Sequence, residues 1–577
     1  MADQDRSVEK EGGTPEKAPV PPHHEHLAEE FLSSTPGTKL PGEPKELHEA
    51  RLSALGLLDV EEYVADFNEK VIGAYNEGVG DTELPADIGV ARSIIPPGTG
   101  ALRDFSYIAL EIPEYQREKC VACMRCVTEC PDTAILAKVT PESELQKRLA
   151  ELPPEDRPFI EKHFAKTKKF YELPQKRGLE PGLFSIFIDP TKCKGCAECV
   201  AVCHDLGYDA LSMIQKKEDT VPKYRKAFHF FKSLPDTPPE YVPDKALADI
   251  MLLGKSLLYV GGAGSCAGCG EATAIRMMLA ATGFKYGREN IAIVAATGCN
   301  TVYGSTYPYN PFRVGWINSL FENAPTVAMG IRLRWDQQGW HKKRLWVLGG
   351  DGAMYDIGFQ ALSRMLASGM DIKVLVLDTQ VYSNTGGQAS TASFMGQDAK
   401  MAAFGSAIPG KVERRKEIGR IIMMHPETFV AQTTPYHVNH FYKVIMAANE
   451  FPGPAVVITY NTCQPEHGVA DDVAFYRAKM AVYSRAFPLF IYDPRKGRTI
   501  QERLSLEGNP AVDKDWYVNP RTGKVIDFIT FAREEGRFKK HFDENGNPSE
   551  FLLKAQEDRL QNWRLLQELA GIRRKES

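Results

Sequence analysis

Twelve cysteines in a chain of 577 residues give the first sign of chemistry. Eight fall in two identical C-x2-C-x2-C-x3-C runs: Cys120, Cys123, Cys126 and Cys130, then Cys193, Cys196, Cys199 and Cys203. A structural zinc site uses two ligand pairs well separated in sequence. Three cysteines at steps of three instead wrap one iron–sulfur cubane, and the fourth reaches across to a second. By that crossed rule one 4Fe-4S cluster takes Cys120, Cys123, Cys126 and Cys203, and the other takes Cys193, Cys196, Cys199 and Cys130. His204 stands where the first run has Pro131, which relaxes the turn but removes no ligand. The second sign is Gly349-Gly350-Asp351-Gly352, which ends the apolar run 345–348. The glycines let backbone approach a ligand, and Asp351 is a hard oxygen donor suited to Mg²⁺ that is shared with phosphates.

The elements that position these residues read as an α/β sheet. After the GDG turn comes an amphipathic helical stretch, then a second buried run at 373–377 that ends in Asp378-Thr379. Strand–helix–strand units of this kind collect ligands at the carboxyl edge of a parallel sheet. Cys266 and Cys269 precede a helix at about 272–281. Cys299 follows the apolar run 291–295, and Cys463 follows 455–460. A lone C-x2-C leaves zinc and a redox dithiol both open. If the sheet is parallel, however, Cys299, Asp351, Thr379 and Cys463 share one rim, and the four cysteines suggest a third cluster there.

The run Asp378-Thr379-Gln380-Val381-Tyr382-Ser383-Asn384-Thr385-Gly386-Gly387-Gln388 resembles the diphosphate-binding region of the pyruvate:ferredoxin oxidoreductases, as do CAGCGE, ATGC and NSLFE. The similarity runs from about residue 94 to 554. It implies a thiamine-diphosphate-binding fold with a parallel sheet, preceded by a bacterial-type two-cluster ferredoxin domain. It also implies Mg²⁺ on Asp351, the Thr379 hydroxyl and the Val381 carbonyl, with Asn384 beside the reacting carbon. Cys266, Cys269, Cys299 and Cys463 would hold the proximal cluster, for three 4Fe-4S clusters in all. Glu271 and Cys299 would touch thiamine diphosphate, along with Gly350, Gly352, Ala353, Gln380, Tyr382 and Ser383. The implied reaction is CoA-dependent oxidative decarboxylation of a 2-oxoacid, reversible in principle, with the electrons leaving to ferredoxin or flavodoxin.

Composition fits this reading. A net charge of −5 gives no reason to expect nucleic acid, and no apolar run approaches the length of a membrane span. The polar N-terminus lacks the core of a signal peptide, so a cytoplasmic location is expected. The sequence divides into a disordered head (1–45), a helical arm (46–110), a ferredoxin-like domain with a polar insert at about 137–184 (111–216) and a linker (217–255). A thiamine domain (256–490) and a C-terminal extension (491–577) follow. In the arm Val60, Tyr63, Val64, Phe67, Val71 and Tyr75 form one stripe, and 552–569 reads as an amphipathic helix. The basic residues Arg495, Lys496, Arg498, Arg503, Lys539, Lys540, Arg573, Arg574 and Lys575 read as solvated surface.

No Glu can be assigned to activate the aminopyrimidine. In the resembled family that residue comes from a pyrimidine-binding domain, which does not fit in the first 93 residues. The expectation is therefore a second subunit carrying the pyrimidine-binding and CoA-related domains, in a dimer of heterodimers. Pyruvate is the expected substrate, with a larger or aromatic 2-oxoacid as the main rival and 2-oxoglutarate or a branched 2-oxoacid as further alternatives; Arg313 is the one candidate for a second carboxylate. A non-redox thiamine decarboxylase or lyase, and a pure electron-transfer module, are the alternatives from other classes.

Overall fold

The computed structural model describes residues 60–84, 95–243, 246–403 and 410–573. The expected disordered head and the start of the arm lie outside them. Residues 1–96 and 97–577 form separate units. In the first, the helix Val60–Phe67 runs through a π-helical turn, Asn68–Ile72, into Gly73–Asn76. The wider turn shifts the stripe read from the sequence: Phe67, Val71, Ile72 and Ala74 are buried, while Tyr75 is only half-buried.

In the second unit, each cysteine run turns through left-handed residues at matching offsets, Ala122 and Met124 in one and Gly195 and Ala197 in the other. Each run then enters a helix, Arg125–Glu129 or Glu198–Asp205. The strand β1 (Glu111–Tyr115) precedes the first run. Between the runs lie β2 (Ile135–Pro141), β3 (Phe164–Ala165) and β4 (Gly182–Ile188), and β5 (Leu211–Gln215) follows the second run. β1 and β5 pair antiparallel, with Pro113 opposite Met213. The insert, polar by composition, has a core of its own. β2 and β3 flank β4 in an antiparallel sheet, over which Leu145, Leu149, Phe164 and Phe187 pack. The stretch read as a linker contributes to that core. Its helix Thr220–Ser233 buries Tyr224, Ala227, Phe228 and Phe231, an i, i+3, i+4, i+7 stripe.

The large sheet comprises β6 (Ile291–Ala296), β7 (Gly315–Ser319), β8 (Arg344–Gly350), β9 (Lys373–Asp378), β10 (Phe429–Thr433), β11 (Ala455–Tyr460), β12 (Phe490–Tyr492) and β13 (Leu504–Ser505), in the order β13-β12-β10-β11-β9-β8-β6-β7. The six strands from β10 to β7 are parallel, and β12 and β13 add an antiparallel edge. Parallel strands covered on both faces read as continuous apolar runs, which is why 345–348, 373–377 and 455–460 stand out in the sequence. Alternate residues face opposite cores. Trp346, Leu348, Leu375 and Val457 meet the helices Gly270–Tyr286 and Val438–Glu450. Val347, Val374, Val376 and Val456 meet Phe359–Ala367 and the C-terminal segment. Helix Glu550–Leu569 buries Leu552, Ala555, Trp563 and Leu566 in that second core.

Buried charges tie the cysteine-rich part to the sheet. Arg276, on the helix Gly270–Tyr286, donates to the carbonyls of Thr128 (3.4 Å) and Cys130 (3.2 Å). Lys194 sits between Cys193 and Cys196. It donates to the Ala263 (2.9 Å) and Ser265 (2.7 Å) carbonyls and pairs with Asp132 at 2.7 Å. Glu198 accepts from the amides of Ala474 (3.0 Å) and Phe475 (2.7 Å), which open the helix Ala474–Tyr483. Loss of such a cap costs about 1–2 kcal/mol. Glu198→Ala is therefore expected to lower protection of the Ala474 and Phe475 amides about ten-fold in hydrogen exchange, while protection in β8 and β9 stays unchanged.

Candidate functional site

The strand ends converge as a parallel sheet requires. Gly350 pairs in register with Leu377, and Asp378 with Tyr460, so the residues after β8, β9 and β11 leave the sheet side by side. One recess of about 370 Å³ opens over this edge. Thr297 to Asn300 line it from β6, Gly350, Gly352 and Ala353 from β8, and Thr379 with Val381 to Thr385 from β9. Glu271 and Phe321 complete the wall. A second recess, about 520 Å³, adjoins the first and shares Glu271, Cys299, Thr379, Ser383 and Asn384 with it. Its other walls include Cys266, Cys269 and Cys463.

Asp351 and Asp378 lie fully buried beneath this edge on neighbouring strands. Asp378 is satisfied by the Arg415 guanidinium and by the Tyr355 hydroxyl at 2.5 Å. Asp351 has no cationic partner among the described residues. It accepts from the Thr379 amide and hydroxyl, each at 3.2 Å, and from the Ser390 hydroxyl. Burial, and then the Asp378 charge, push the Asp351 carboxyl up to about 7. Burial, and then Asp351, push the Glu271 carboxyl up to about 8, opposed by the Tyr303 hydroxyl at 3.4 Å.

The oxygens fit a small divalent cation. Thr379 Oγ1 lies 3.2 Å from both Asp351 Oδ1 and the Val381 carbonyl oxygen. The edge of an Mg²⁺ octahedron with bonds of about 2.1 Å is roughly 3 Å. In the recess the side-chain oxygen of buried Asn300 has no protein partner, as suits a wall waiting for a polar ligand. Gln380 does not face the recess. It is fully buried and turned toward Asp378 and Arg537. Arg313 is exposed beside Gly98 and lines neither recess.

The cysteine runs enclose two further spaces. Cys120, Cys123, Cys126 and Cys203 line one of about 380 Å³; Cys130, Cys193, Cys196 and Cys199 line the other, of about 340 Å³. Among the described residues no three His, Cys, Asp or Glu side chains converge on a single-ion position. Backbone amides of Ala122, Ala134 and Ala210 donate to the sulfurs of Cys120 (3.4 Å), Cys130 (3.3 Å) and Cys203 (3.2 Å), the contacts that stabilise thiolate ligands. Around the third space burial raises the Cys269 and Cys299 thiols and pushes Cys463 up to about 12, opposed there by the Ser383 hydroxyl.

Comparison with known proteins finds matches that take in this sheet edge. The family described as thiamine pyrophosphate enzyme, C-terminal TPP binding domain, matches residues 296–459. A probable pyruvate-flavodoxin oxidoreductase of Escherichia coli is 28% identical over 78% of this chain and 42% of its own length. The pyruvate:ferredoxin oxidoreductase of Moorella thermoacetica is 28% identical over 87% and 46%. The chain is a homologue of the pyruvate:ferredoxin and pyruvate-flavodoxin oxidoreductases. It spans less than half the length of these relatives. Among solved structures, the 2-oxoglutarate:ferredoxin oxidoreductase of Magnetococcus marinus aligns at 23% identity and a TM-score of 0.31, over 37% of this chain and 69% of its own.

The sequence reading missed Tyr303, Asn300, Ser390 and Arg415. Only Asn300, next to Cys299 in ATGCN, stood beside a residue already singled out. Gly268, by contrast, sits inside CAGCGE for a steric reason. At φ +71° a Cβ there would lie 2.0 Å from the Asp471 carbonyl oxygen, so only glycine lets the Cys266–Cys269 loop close on the Cys463 loop. Gly268→Ala is expected to destabilise by about 1–3 kcal/mol in urea denaturation. Gly330→Ala, in the helix Ala324–Gln337 with open space around the added carbon, should be neutral or stabilising by up to about 1 kcal/mol.

Proposed function

We propose that this chain carries the thiamine diphosphate–Mg²⁺ site and three 4Fe-4S clusters of a CoA-dependent 2-oxoacid:ferredoxin oxidoreductase, with pyruvate as substrate. The observation that carries the reading is the shared wall. The recess over Asp351, Thr379 and Val381 and the recess ringed by Cys266, Cys269, Cys299 and Cys463 have five lining residues in common. Bound thiamine diphosphate supplies the electron sink for decarboxylation. This chain's residues do the rest of the work at that site. Asp351, the Thr379 hydroxyl and the Val381 carbonyl hold the metal, and Asn300 and Asn384 offer polar contacts at the wall. Buried Glu271, its proton affinity raised, can hold a proton between the two recesses.

The outer two clusters take the crossed ligand sets, in line with the four cysteines around each space. Held there, the clusters would supply one-electron carriers for passing electrons on to a soluble ferredoxin or flavodoxin. The domain limits given above are kept for this reading, except that the stretch 217–255 is not a linker, since its helix Thr220–Ser233 packs into the core of the insert; a cytoplasmic location is likewise part of the proposal. The proposal includes a partner chain with pyrimidine-binding and CoA-related domains, in a dimer of heterodimers; the relatives it matches carry their further length in a single chain. Pyruvate is favoured over 2-oxoglutarate because no Lys or Arg among the described residues lines either recess. A second carboxylate buried there would go unpaired, at a cost of several kcal/mol.

Asp351→Ala is expected to abolish Mg²⁺ and thiamine diphosphate retention while leaving iron at about twelve atoms per chain, as the metal and the clusters have separate ligands. Normal thiamine content in that variant would refute the metal assignment. The whole reading is tested by viologen reduction with CoA and a panel of pyruvate, 2-oxobutyrate, 2-oxoglutarate and phenylpyruvate. The chain alone should be inactive, and its complex with the partner should be most active with pyruvate. A kcat/KM for another acid ten-fold above that for pyruvate, about 1.4 kcal/mol of transition-state preference, would overturn the substrate assignment.

A further inference from the structure

The loop that presents the metal oxygens contains a residue in an unfavourable backbone conformation. Gln380, between Thr379 and Val381, has φ +60°, a region non-glycine residues occupy only when their surroundings hold them there. It is fully buried, and every polar group it has is engaged. Its amide nitrogen donates to the Asp378 carbonyl at 2.5 Å and to Asp378 Oδ1 at 3.0 Å. Its backbone carbonyl accepts from Ser393 Oγ at 2.5 Å and Gln397 Nε2 at 3.0 Å. The neighbouring Thr379 carbonyl pairs with His467 Nε2 at 2.9 Å. With both preceding carbonyls tied off, the Val381 carbonyl is the one left facing Thr379 Oγ1.

The remaining atom, Gln380 Oε1, accepts from Arg537 Nη1 at 3.0 Å. Arg537 comes from the C-terminal segment, 157 residues away in sequence, and its side chain is fully buried. It is itself rigidly held. Its Nε donates to Glu535 Oε2 at 2.6 Å, and its carbonyl accepts from the Asp398 amide at 2.8 Å. Glu535 Oε1 in turn receives Arg477 Nε at 3.1 Å and the Tyr460 hydroxyl at 3.3 Å. A buried guanidinium needs only one carboxylate to be neutralised. Its Nη2 reaches the Tyr460 hydroxyl at 3.5 Å, and its Nη1 is shared between two neutral amide oxygens, that of the strained Gln380 and, at 3.4 Å, that of Gln397, whose own amide holds the Gln380 carbonyl.

We propose that Arg537 is a positioning residue: it clamps Gln380 in its left-handed conformation and so aims the Thr379 hydroxyl and the Val381 carbonyl at one metal ion. The C-terminal segment thereby acts on cofactor affinity without touching the recess. The inference rests on the metal reading given above.

The test uses the full chain in complex with its partner and compares wild type, Arg537→Lys, Gln380→Gly and the double variant. Lysine keeps the charge beside Glu535 but cannot span to Gln380 as well. Two quantities are measured: Mg²⁺-dependent thiamine diphosphate affinity by calorimetry, and amide exchange of residues 379–383 in metal-free protein. Arg537→Lys should weaken cofactor affinity at least ten-fold and speed exchange at least ten-fold, with iron content unchanged. Adding Gln380→Gly should restore affinity to within about three-fold of Gln380→Gly alone, because glycine adopts positive φ without a clamp. Unchanged exchange in Arg537→Lys, or effects of the two substitutions that simply multiply, would overturn the proposal. If wild type bound no Mg²⁺–thiamine diphosphate, the metal reading would fail on its own. The exchange measurement would still decide whether Arg537 holds the loop.

Discussion

Two carboxylates buried side by side at the ends of neighbouring strands set the terms for the rest of this structure. Asp351 and Asp378 are both fully excluded from solvent. Like charges that close in a dry interior cannot both be left uncompensated. The chain resolves this asymmetrically. Arg415 and Tyr355 are committed to Asp378, whereas Asp351 receives only neutral donors from Thr379 and Ser390. Burial and the Asp378 charge then raise the proton affinity of Asp351 toward its neutral form, opposed by Ser390, the Arg415 charge and the Thr379 amide.

That demand reaches well beyond the rim. Arg415 reaches Asp378 from a segment after β9, and the residues that fix Gln380 come from the stretch after it, from the C-terminal segment and from the loop after β11. The second sheet core, where Phe394 packs among Phe528, Phe531 and Phe538, joins the same segments. The C-terminal residues are thus part of the site's foundation, and their placement explains why Arg537 and Arg559 are buried while neighbouring basic residues stay exposed.

The cysteine-rich part is built into the same core in the same manner. Arg276 caps the helix of the first run from within the sheet's own helical layer, and Lys194 joins the second run to the loop that carries Cys266. Glu198 anchors the far side on the helix Ala474–Tyr483. Buried charged contacts of this kind are costly to break, so they fix orientation more than they add stability.

The sequence alone determined the elements whose chemistry is local. The spacing of Cys120 to Cys130 and of Cys193 to Cys203 follows from turn geometry, and the buried parallel strands announce themselves as apolar runs because both faces are covered. The GDG turn and the run 378–388 are legible because their residues sit next to one another in the chain. What only the tertiary structure decided depends on partners far apart in sequence. Nothing in the sequence marks Arg415 as the partner of Asp378, Tyr303 as the partner of Glu271, or Arg537 as the partner of Gln380. An arginine in a polar stretch reads as surface until the fold is known. The insert at 137–184 and the helix Thr220–Ser233 misled for the same reason, since their apolar residues form a core only when brought together. Gln380 looked like a cofactor contact by its neighbours, but a left-handed backbone turns its side chain the other way, and no local pattern encodes that turn.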